Sequence, residues 1–250
     1  MTIPTPPKGP SGSARRRSGG AGTTPRRSPV PWKLPLAQQD AAASAVARLI
    51  ANAIRTTTGS LIDVAGVLHR GIYDKHLRSK SPPDALYFVG SNAGRRYTPP
   101  GGPAGFYLSF DPATPLAELR AVTYDQSGMP RPTGKNPPVV VISYDISVRR
   151  ILDLTNADVQ RALGLTPTGL GCDWEKLQAN FLLGAGAMPP TQLLALVAHD
   201  LTLIRGIKYR SVRDRKRGIN VVVFPDRLDR AGGEHITVFD DTGYYAGTMP

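Results

Sequence analysis

The stretch GFYLSFDPATPLAEL, residues 105–119, decides how the surrounding chain is interpreted. Over 106–110 the large apolar side chains alternate with Tyr107 and Ser109, which predicts a β-strand. An Asp-Pro step then turns the chain into a segment typical of a helix, and we expect Glu118 near the start of that helix. A strand, a turn and a helix in this order would bring Tyr107 and the Glu118 carboxylate toward the same space.

Strands and helices are interleaved irregularly on both sides of this stretch. Apolar runs predict strands at 65–72 and 85–90, separated by a basic polar loop at 74–83, and a strand at 137–146 whose β-branched residues favour burial on both faces. Further helices are predicted at 37–58, 156–163 and 190–204, and further strands at 206–212, 218–224 and 234–240. This order favours one mixed α+β domain over residues 37–250 rather than a doubly wound sheet.

Residues 1–36 form a separate segment by composition. The chain carries a net charge of +12, and residues 1–33 supply seven of those charges without a single acidic residue. The segment is rich in Pro, Gly, Ser and Thr, so it buries too little apolar surface to offset the entropy of ordering, and we expect a disordered basic tail. Weak contact with a nucleic acid and a merely solvated extension are both compatible with this composition.

Several classes of protein are excluded or disfavoured. The chain has no apolar run long enough for a membrane span and no secretory leader, so we expect a cytoplasmic protein that does not enter a membrane. A single cysteine, Cys172, excludes a disulfide framework and a zinc site built on several thiolates, and the four histidines lack metal-ligand spacing. The chain also lacks a Walker loop, a complete dinucleotide fingerprint and a Gly-x-Ser-x-Gly elbow. We therefore expect neither a metal nor a cofactor.

Arginines at the ends of predicted strands and in a glycine-rich loop point to an anionic ligand. Arg70 follows an apolar run, Arg95 and Arg96 lie in the loop, and Arg213 follows another strand. Each guanidinium presents a planar set of donors that suits phosphate, and glycine lets backbone N–H groups approach an anion closely. Taken together with a tyrosine, a glutamate and a serine in similar positions, they predict a site for a phosphate-bearing molecule.

Five motifs, in this order, carry a resemblance to a known family. They are VLHRG at 67–71, GRRYTPPG at 94–101, FYLSFDPATPLAE at 106–118, ILDLTN at 151–156, and the long segment at 190–228 that begins with PTQLLALVAHDL. In these motifs the chain resembles the RES-domain family, named for its Arg, Glu and Ser, whose members include bacterial toxins that destroy NAD. The resemblance implies an ADP-ribosyltransferase-like fold, with a central, strongly bent β-sheet and flanking helices.

The resemblance also assigns site residues. They are Arg70, Arg96 (or Arg95 in the other register), Tyr97 beside them, Tyr107, Glu118 and Ser211. It implies that Glu118 faces the positive charge that develops on ribose as nicotinamide leaves, with Arg96 and Tyr107 as the other catalytic residues. Arg70, Arg95, Tyr97 and Ser211 would then bind NAD, which is the substrate and not a cofactor. The chain departs from the family where Tyr-Pro-Ser is replaced by Tyr-Arg-Ser at 209–211.

The implied function is that of a toxin that cleaves the nicotinamide–ribose bond of NAD, as a glycohydrolase or phosphorylase. NAD depletion would then arrest growth, and an antitoxin would neutralise the protein by occluding its cleft. One alternative is a protein ADP-ribosyltransferase that uses the same site, since the sequence leaves water, phosphate and protein open as acceptors. Another is a non-catalytic nucleic-acid-binding protein, in which arginines and lysines at 15–17 and 210–217 contact phosphates.

Overall fold

A computed structural model of the protein describes residues 36–78, 86–87, 94–127, 129–134, 137–214 and 218–240. The predicted tail therefore lies outside the described residues, apart from its last position. Of the strand predicted at 85–90, only Leu86 and Tyr87 are described, and they lie in a helical turn instead.

Seven helices and eight strands lie within the described residues. The helices are α1 (Leu36–Thr56), α2 (Asp74–Arg78), α3 (Thr114–Glu118), α4 (Ala157–Ala162), α5 (Pro167–Leu170), α6 (Trp174–Leu182) and α7 (Pro190–Asp200). The strands are β1 (Leu61–Tyr73), β2 (Phe106–Ser109), β3 (Val122–Tyr124), β4 (Pro130–Pro132), β5 (Val139–Asp153), β6 (Gly206–Arg210), β7 (Ile219–Val223) and β8 (His235–Val238). A 3-10 turn at Pro225–Arg227 follows β7.

The central sheet is strongly curved and closes on itself through the pairing of β1 with β5. Its strand order is β1-β2-β7-β6-β5-β8, and β1 also pairs with β5 along nearly its whole length. On its other edge the long strand β5 pairs with two strands, with β8 along Tyr144–Ser147 and with β6 along Ile151–Asp153. Only the β5–β6 pairing is parallel among the described strands. The expectation of a mixed α+β domain with a strongly bent central sheet is confirmed.

The two faces of this sheet bury two apolar clusters, and β7 shows how one strand feeds both. Val221 and Val223 lie in the cluster enclosed by the curved sheet, together with Phe106 of β2. Val222 points the other way, into the cluster that α1 and α7 cover. This alternation follows from the two-residue period of a strand and fixes the register of β7.

Most predicted elements are present, with shifted ends and some corrections. The helix predicted at 190–204 ends at Asp200, and the loop predicted at 74–83 begins as the short helix α2. Burial on both faces of 137–146 was a wrong expectation, because Val140 is 39% exposed where β1 and β5 extend as a ribbon past the other strands. Helix α6 and the β3–β4 hairpin were not predicted.

Candidate functional site

A cleft of about 210 Å³ brings most of the predicted site residues together. Arg70, Arg95, Arg96, Tyr107 and Glu118 all line it. Cleft-lining residues that the sequence did not single out as site residues include His69, His76, Trp174, Tyr209 and Asn220. Arg213, which follows a predicted strand, also lines the cleft.

Glu118 is the last residue of α3 and does not lie near its start. The helix begins where Asp111 Oδ1 accepts the backbone N–H groups of Ala113 and Thr114, at 2.9 and 3.0 Å. It ends after five residues because Arg120 adopts a left-handed conformation, with φ of 56°. The expectation was wrong for this reason, and attraction of a carboxylate to a helix N-terminus does not account for Glu118.

A glycine allows α3 to lie directly against β1. A Cβ atom at Gly71 would stand 2.8 Å from Leu119 Cδ1, closer than packed carbon atoms tolerate, and 3.2 Å from Pro115 Cβ, tighter than most packed contacts. The residue beside Arg70 is therefore free of a side chain because the helix that carries Glu118 occupies that space. This contact sets the distance between the β1 side of the cleft and the Glu118 side.

Two buried donors hold one oxygen of the Glu118 carboxylate. Ser211 Oγ donates to Glu118 Oε1 at 2.7 Å, and Asn220 Nδ2 donates to the same oxygen at 3.0 Å. Ser211 Oγ in turn accepts the backbone N–H groups of Arg213 and Asp214, at 3.2 and 2.9 Å. Ser211 is only 3% exposed, so its hydroxyl contacts Glu118 from the protein interior.

Asn220 is the residue of this arrangement that sequence reasoning missed. It lies on β7 directly opposite Ser109 of β2, whose hydroxyl donates to Asn220 Oδ1 at 2.6 Å. Both side chains are buried, at 3% and 4% exposure. The available signal was a single polar residue within the otherwise apolar strand INVVV, which indicates a paired polar group.

The Tyr107 hydroxyl is engaged with the loop that carries the two arginines. It accepts the backbone N–H of Tyr97 at 3.1 Å and forms a hydrogen bond with Thr98 Oγ1 at 3.1 Å. Burial raises the pKa of Tyr107 to about 12, so the phenol is neutral near pH 7. Tyr97 lies behind the loop, 1% exposed, with its ring centroid 4.4 Å from that of Tyr209.

The loop fixes Arg95 and Arg96 in different ways. Arg96 is buried and donates from Nη1 to the Leu170 carbonyl at 2.6 Å, while the Arg95 side chain is exposed at the cleft. The Arg95 backbone is held by Thr98 on one side and by Gln192 Nε2, 2.8 Å from its carbonyl, on the other. Both arginines thus remain candidates for binding an anion, Arg96 as the restrained one and Arg95 as the accessible one.

Arg70 and Arg213 complete the positive side of the cleft. The Arg70 guanidinium lies 4.3 Å from the centroid of the Phe106 ring, and burial lowers its pKa to about 10, which leaves it cationic near pH 7. Arg213 donates from Nη1 to the backbone carbonyl of Glu118 at 2.8 Å and from Nη2 to Glu175 Oε1 at 2.7 Å. Arg213, one of the arginines of the nucleic-acid alternative, is thereby tied into the cleft.

A model of the RES domain matches residues 75–242, about two thirds of the chain. The chain belongs to the RES-domain family. Of the assigned site residues, Arg70 lies just before the matched range and the others lie within it. No curated protein sequence matches this RES-domain chain significantly.

One similar solved structure is the crystal structure of the M. tuberculosis MbcT-MbcA toxin-antitoxin complex. It is 16% identical, with a TM-score of 0.49, and the match covers 78% of this chain and 90% of that chain.

The described part of the RES-domain chain shows two further features. None of its helices has the length and apolar character needed to cross a membrane. Nor do its His, Cys, Asp and Glu side chains gather in threes where they could ligate a metal. Among the residues that the structure describes, the cleft contains one carboxylate, that of Glu118, held by two fixed donors, together with several arginines. Such an arrangement suits the stabilisation of a nearby cation by the carboxylate and the binding of anionic groups by the arginines.

Proposed function

We propose that this RES-domain protein is a toxin that cleaves the bond between nicotinamide and ribose in NAD. The observation that supports this proposal is the fixed carboxylate of Glu118 in a cleft whose described lining includes four arginines and no other carboxylate. NAD carries both features that such a cleft suits, a pyrophosphate anion and a C–N bond whose cleavage generates positive charge.

The proposed reaction proceeds through a ribose cation. As the C–N bond breaks, its electron pair leaves with nicotinamide, which departs as a neutral molecule, and positive charge develops on the ribose as in glycoside hydrolysis. The Glu118 carboxylate stabilises that charge, and its effect is larger in a partly desolvated cleft than in water. An oxygen of water or phosphate then bonds to the ribose carbon and, in the case of water, releases a proton.

The arginines have the complementary role of holding the substrate. Arg70 with Arg96 or Arg95 binds the pyrophosphate through charge-assisted hydrogen bonds. The ring of Tyr107 shapes the nicotinamide pocket, while its hydroxyl keeps the arginine loop in place. Ser211 acts on the substrate through Glu118, because its hydroxyl is buried and already engaged.

A toxin of this kind requires a partner that keeps it inactive in the cell that makes it. We assign that role to an antitoxin protein that covers the cleft and so excludes NAD. The support for this partner is the family of the chain. The effect of the free toxin would be depletion of NAD in the cytoplasm, followed by growth arrest.

One incubation tests the proposal. The purified chain is mixed with NAD, with and without phosphate, beside the Glu118→Gln variant, and the products are identified by mass spectrometry. Free nicotinamide with ADP-ribose indicates a glycohydrolase, and a phosphorylated ADP-ribose formed only with phosphate indicates a phosphorylase. ADP-ribose bonded to a protein, detected as an increase in that protein's mass, instead supports the ADP-ribosyltransferase alternative. Intact NAD, combined with salt-dependent binding to DNA or RNA, would reject cleavage in favour of nucleic-acid binding.

A further inference from the structure

We propose that Asn220 is a positioning residue, which together with Ser109 behind it fixes the direction of the Glu118 carboxylate. The inference rests on the proposed role of Glu118 and adds a chain of contacts from β2 through β7 to α3. Ser109 Oγ donates to Asn220 Oδ1 at 2.6 Å, and Asn220 Nδ2 donates to Glu118 Oε1 at 3.0 Å.

The chemistry of donors and acceptors gives each group in this chain of contacts one direction. Glu118 Oε1 accepts a hydrogen bond from Asn220 Nδ2, so the amide turns its nitrogen toward α3 and its oxygen toward β2. The Ser109 hydroxyl then supplies the donor that this amide oxygen needs. Ser211 is constrained as well, since it accepts two backbone N–H groups and donates its own O–H to Glu118. Ser211 and Asn220 therefore both donate to Glu118 Oε1, and their orientations determine the orientation of the carboxylate.

The two donors to Glu118, Asn220 and Ser211, are held by the paired strands of the sheet. Asn220 pairs with Ser109 on one side and with Tyr209 of β6 on the other, so it lies within the sheet and not at a free edge. The hairpin between β6 and β7 is closed by Ser211, whose backbone N–H donates to the Gly218 carbonyl at 2.7 Å. Ser109, Ser211 and Asn220 are each at most 4% exposed, so bulk water does not compete for these donor groups.

The fixed donors matter because Glu118 itself lies at the end of a short helix. Its helix has five residues and ends at Glu118, so the backbone alone restrains the side chain weakly. A carboxylate that stabilises a transient cation must already point at it, since small misplacements of a catalytic group cost a large part of the rate. Asn220 is placed to prevent rotation of the carboxylate away from the cleft.

The test compares Asn220→Ala, Asn220→Asp and Ser109→Ala with Asn180→Asp, a control on α6 outside this network. We expect Asn220→Ala to lower kcat for nicotinamide release about 10-fold to 100-fold, with KM for NAD changed by less than about threefold. Ser109→Ala is expected to lower kcat less. Asn220→Asp keeps the shape but sets a second carboxylate against Glu118, so the acidic limb of the pH–kcat profile should move to higher pH. The control should match the wild-type protein.

A double-mutant cycle separates positioning from a general structural effect. In a Glu118→Ala background there is no carboxylate to orient, so Asn220→Ala should cause no further loss of kcat. An equal further loss in that background, or unchanged kcat in both Asn220 variants with intact thermal unfolding, would overturn the proposal.

A second measurement does not depend on turnover. The ¹³Cδ resonance of Glu118, observed without NAD, should move in Asn220→Ala and stay in place in Asn180→Asp. If the wild-type protein leaves NAD intact while this resonance moves, the proposed function fails and the contact stands. If the resonance does not move, the positioning role fails whatever the activity.

Discussion

Ser211 Oγ donates to Glu118 Oε1 over 2.7 Å, although the two residues lie 93 positions apart in the sequence. The serine and the glutamate that the resemblance assigns to the site thus act as one unit in this chain, since the buried Ser211 hydroxyl donates to the Glu118 carboxylate. Arg213 adds to that unit, because its guanidinium holds the backbone carbonyl of Glu118 while its backbone N–H donates to Ser211.

Ser211→Ala is expected to lower both stability and activity. Two backbone N–H groups lose their acceptor and Glu118 loses a donor, so the free energy of unfolding should fall by about 1–3 kcal/mol. Nicotinamide release should fall about 10-fold or more because the carboxylate is less restrained. Urea unfolding and steady-state kinetics measure the two effects. Ser127→Ala, on an exposed turn, is the matched control, and an equal change there would contradict the assignment.

Glu118→Gln tests the carboxylate charge itself. The amide keeps the size of the side chain and removes the charge that faces the breaking bond in the proposed reaction, so kcat should fall about 10²-fold or more. Thermal unfolding should show a folded protein. Asp158→Asn, the same chemical change on the exposed surface of α4, should leave the rate unaltered, and near-normal turnover in Glu118→Gln would exclude Glu118 as the catalytic carboxylate.

Tyr107→Phe tests the link between the cleft and the arginine loop, and its effect depends on pH. Near pH 7 the variant should be about 1 kcal/mol less stable, because the Tyr97 N–H loses its acceptor. The folded-state pKa of Tyr107 is raised to about 12, above the ordinary value of 10, so ionisation in the unfolded chain begins first. The stability advantage of the wild-type protein should therefore be full below about pH 10 and decline as the pH rises toward about 12. Urea unfolding at several pH values measures it, and a difference that stays constant would refute the burial of the phenol.

Gly71→Ala tests the contact between β1 and α3. The new methyl group would meet Leu119 and Pro115, so the Leu119 side chain must rotate and Pro115 of α3 must shift slightly, at a cost of about 1–3 kcal/mol in unfolding free energy. Activity should fall with it, since Pro115 belongs to the helix that carries Glu118. Gly186→Ala is the control, because a Cβ atom there would meet only Asn180 Cβ at an ordinary 3.5 Å. Equal stability of the two variants would show that α3 does not depend on this packing.

Glu175→Gln tests the ion pair that joins α6 to the cleft. Glu175 pairs with Arg213 at 2.7 Å and with Arg120 at 3.6 Å, and its side chain is half exposed, so the loss of stability should stay within about 1 kcal/mol. Arg213 would be held less firmly, and we expect KM for NAD to rise about threefold with a smaller change in kcat. The difference between variant and wild-type protein should shrink at high salt, where the pair is screened. A difference in KM that persists at high salt would argue against an electrostatic effect.

Local patterns predicted the elements of the site better than its contacts. Alternation over 106–110 and the Asp-Pro turn were sufficient for β2 and α3, since both are encoded within a few residues. The end of α3 was not predictable in the same way, because Arg120 occupies a left-handed position that normally favours glycine. Asn220 was missed because its partners, Ser109 and Glu118, lie 111 and 102 residues away, and only the paired strands bring them together.

The position of β6 and β7 after Glu118 and β5 in the chain has a consequence for biosynthesis. A nascent polypeptide that has left the ribosome only as far as β5 already contains Arg70, Arg96 and Glu118, but neither Ser211 nor Asn220. Contacts between such distant residues form only after a loss of chain entropy, and they require β6 and β7 to have been synthesised. A product that ends before β6 would therefore carry Glu118 without the two side chains that donate to its Oε1. Under the proposed function, efficient cleavage of NAD would begin only after β7 has been synthesised.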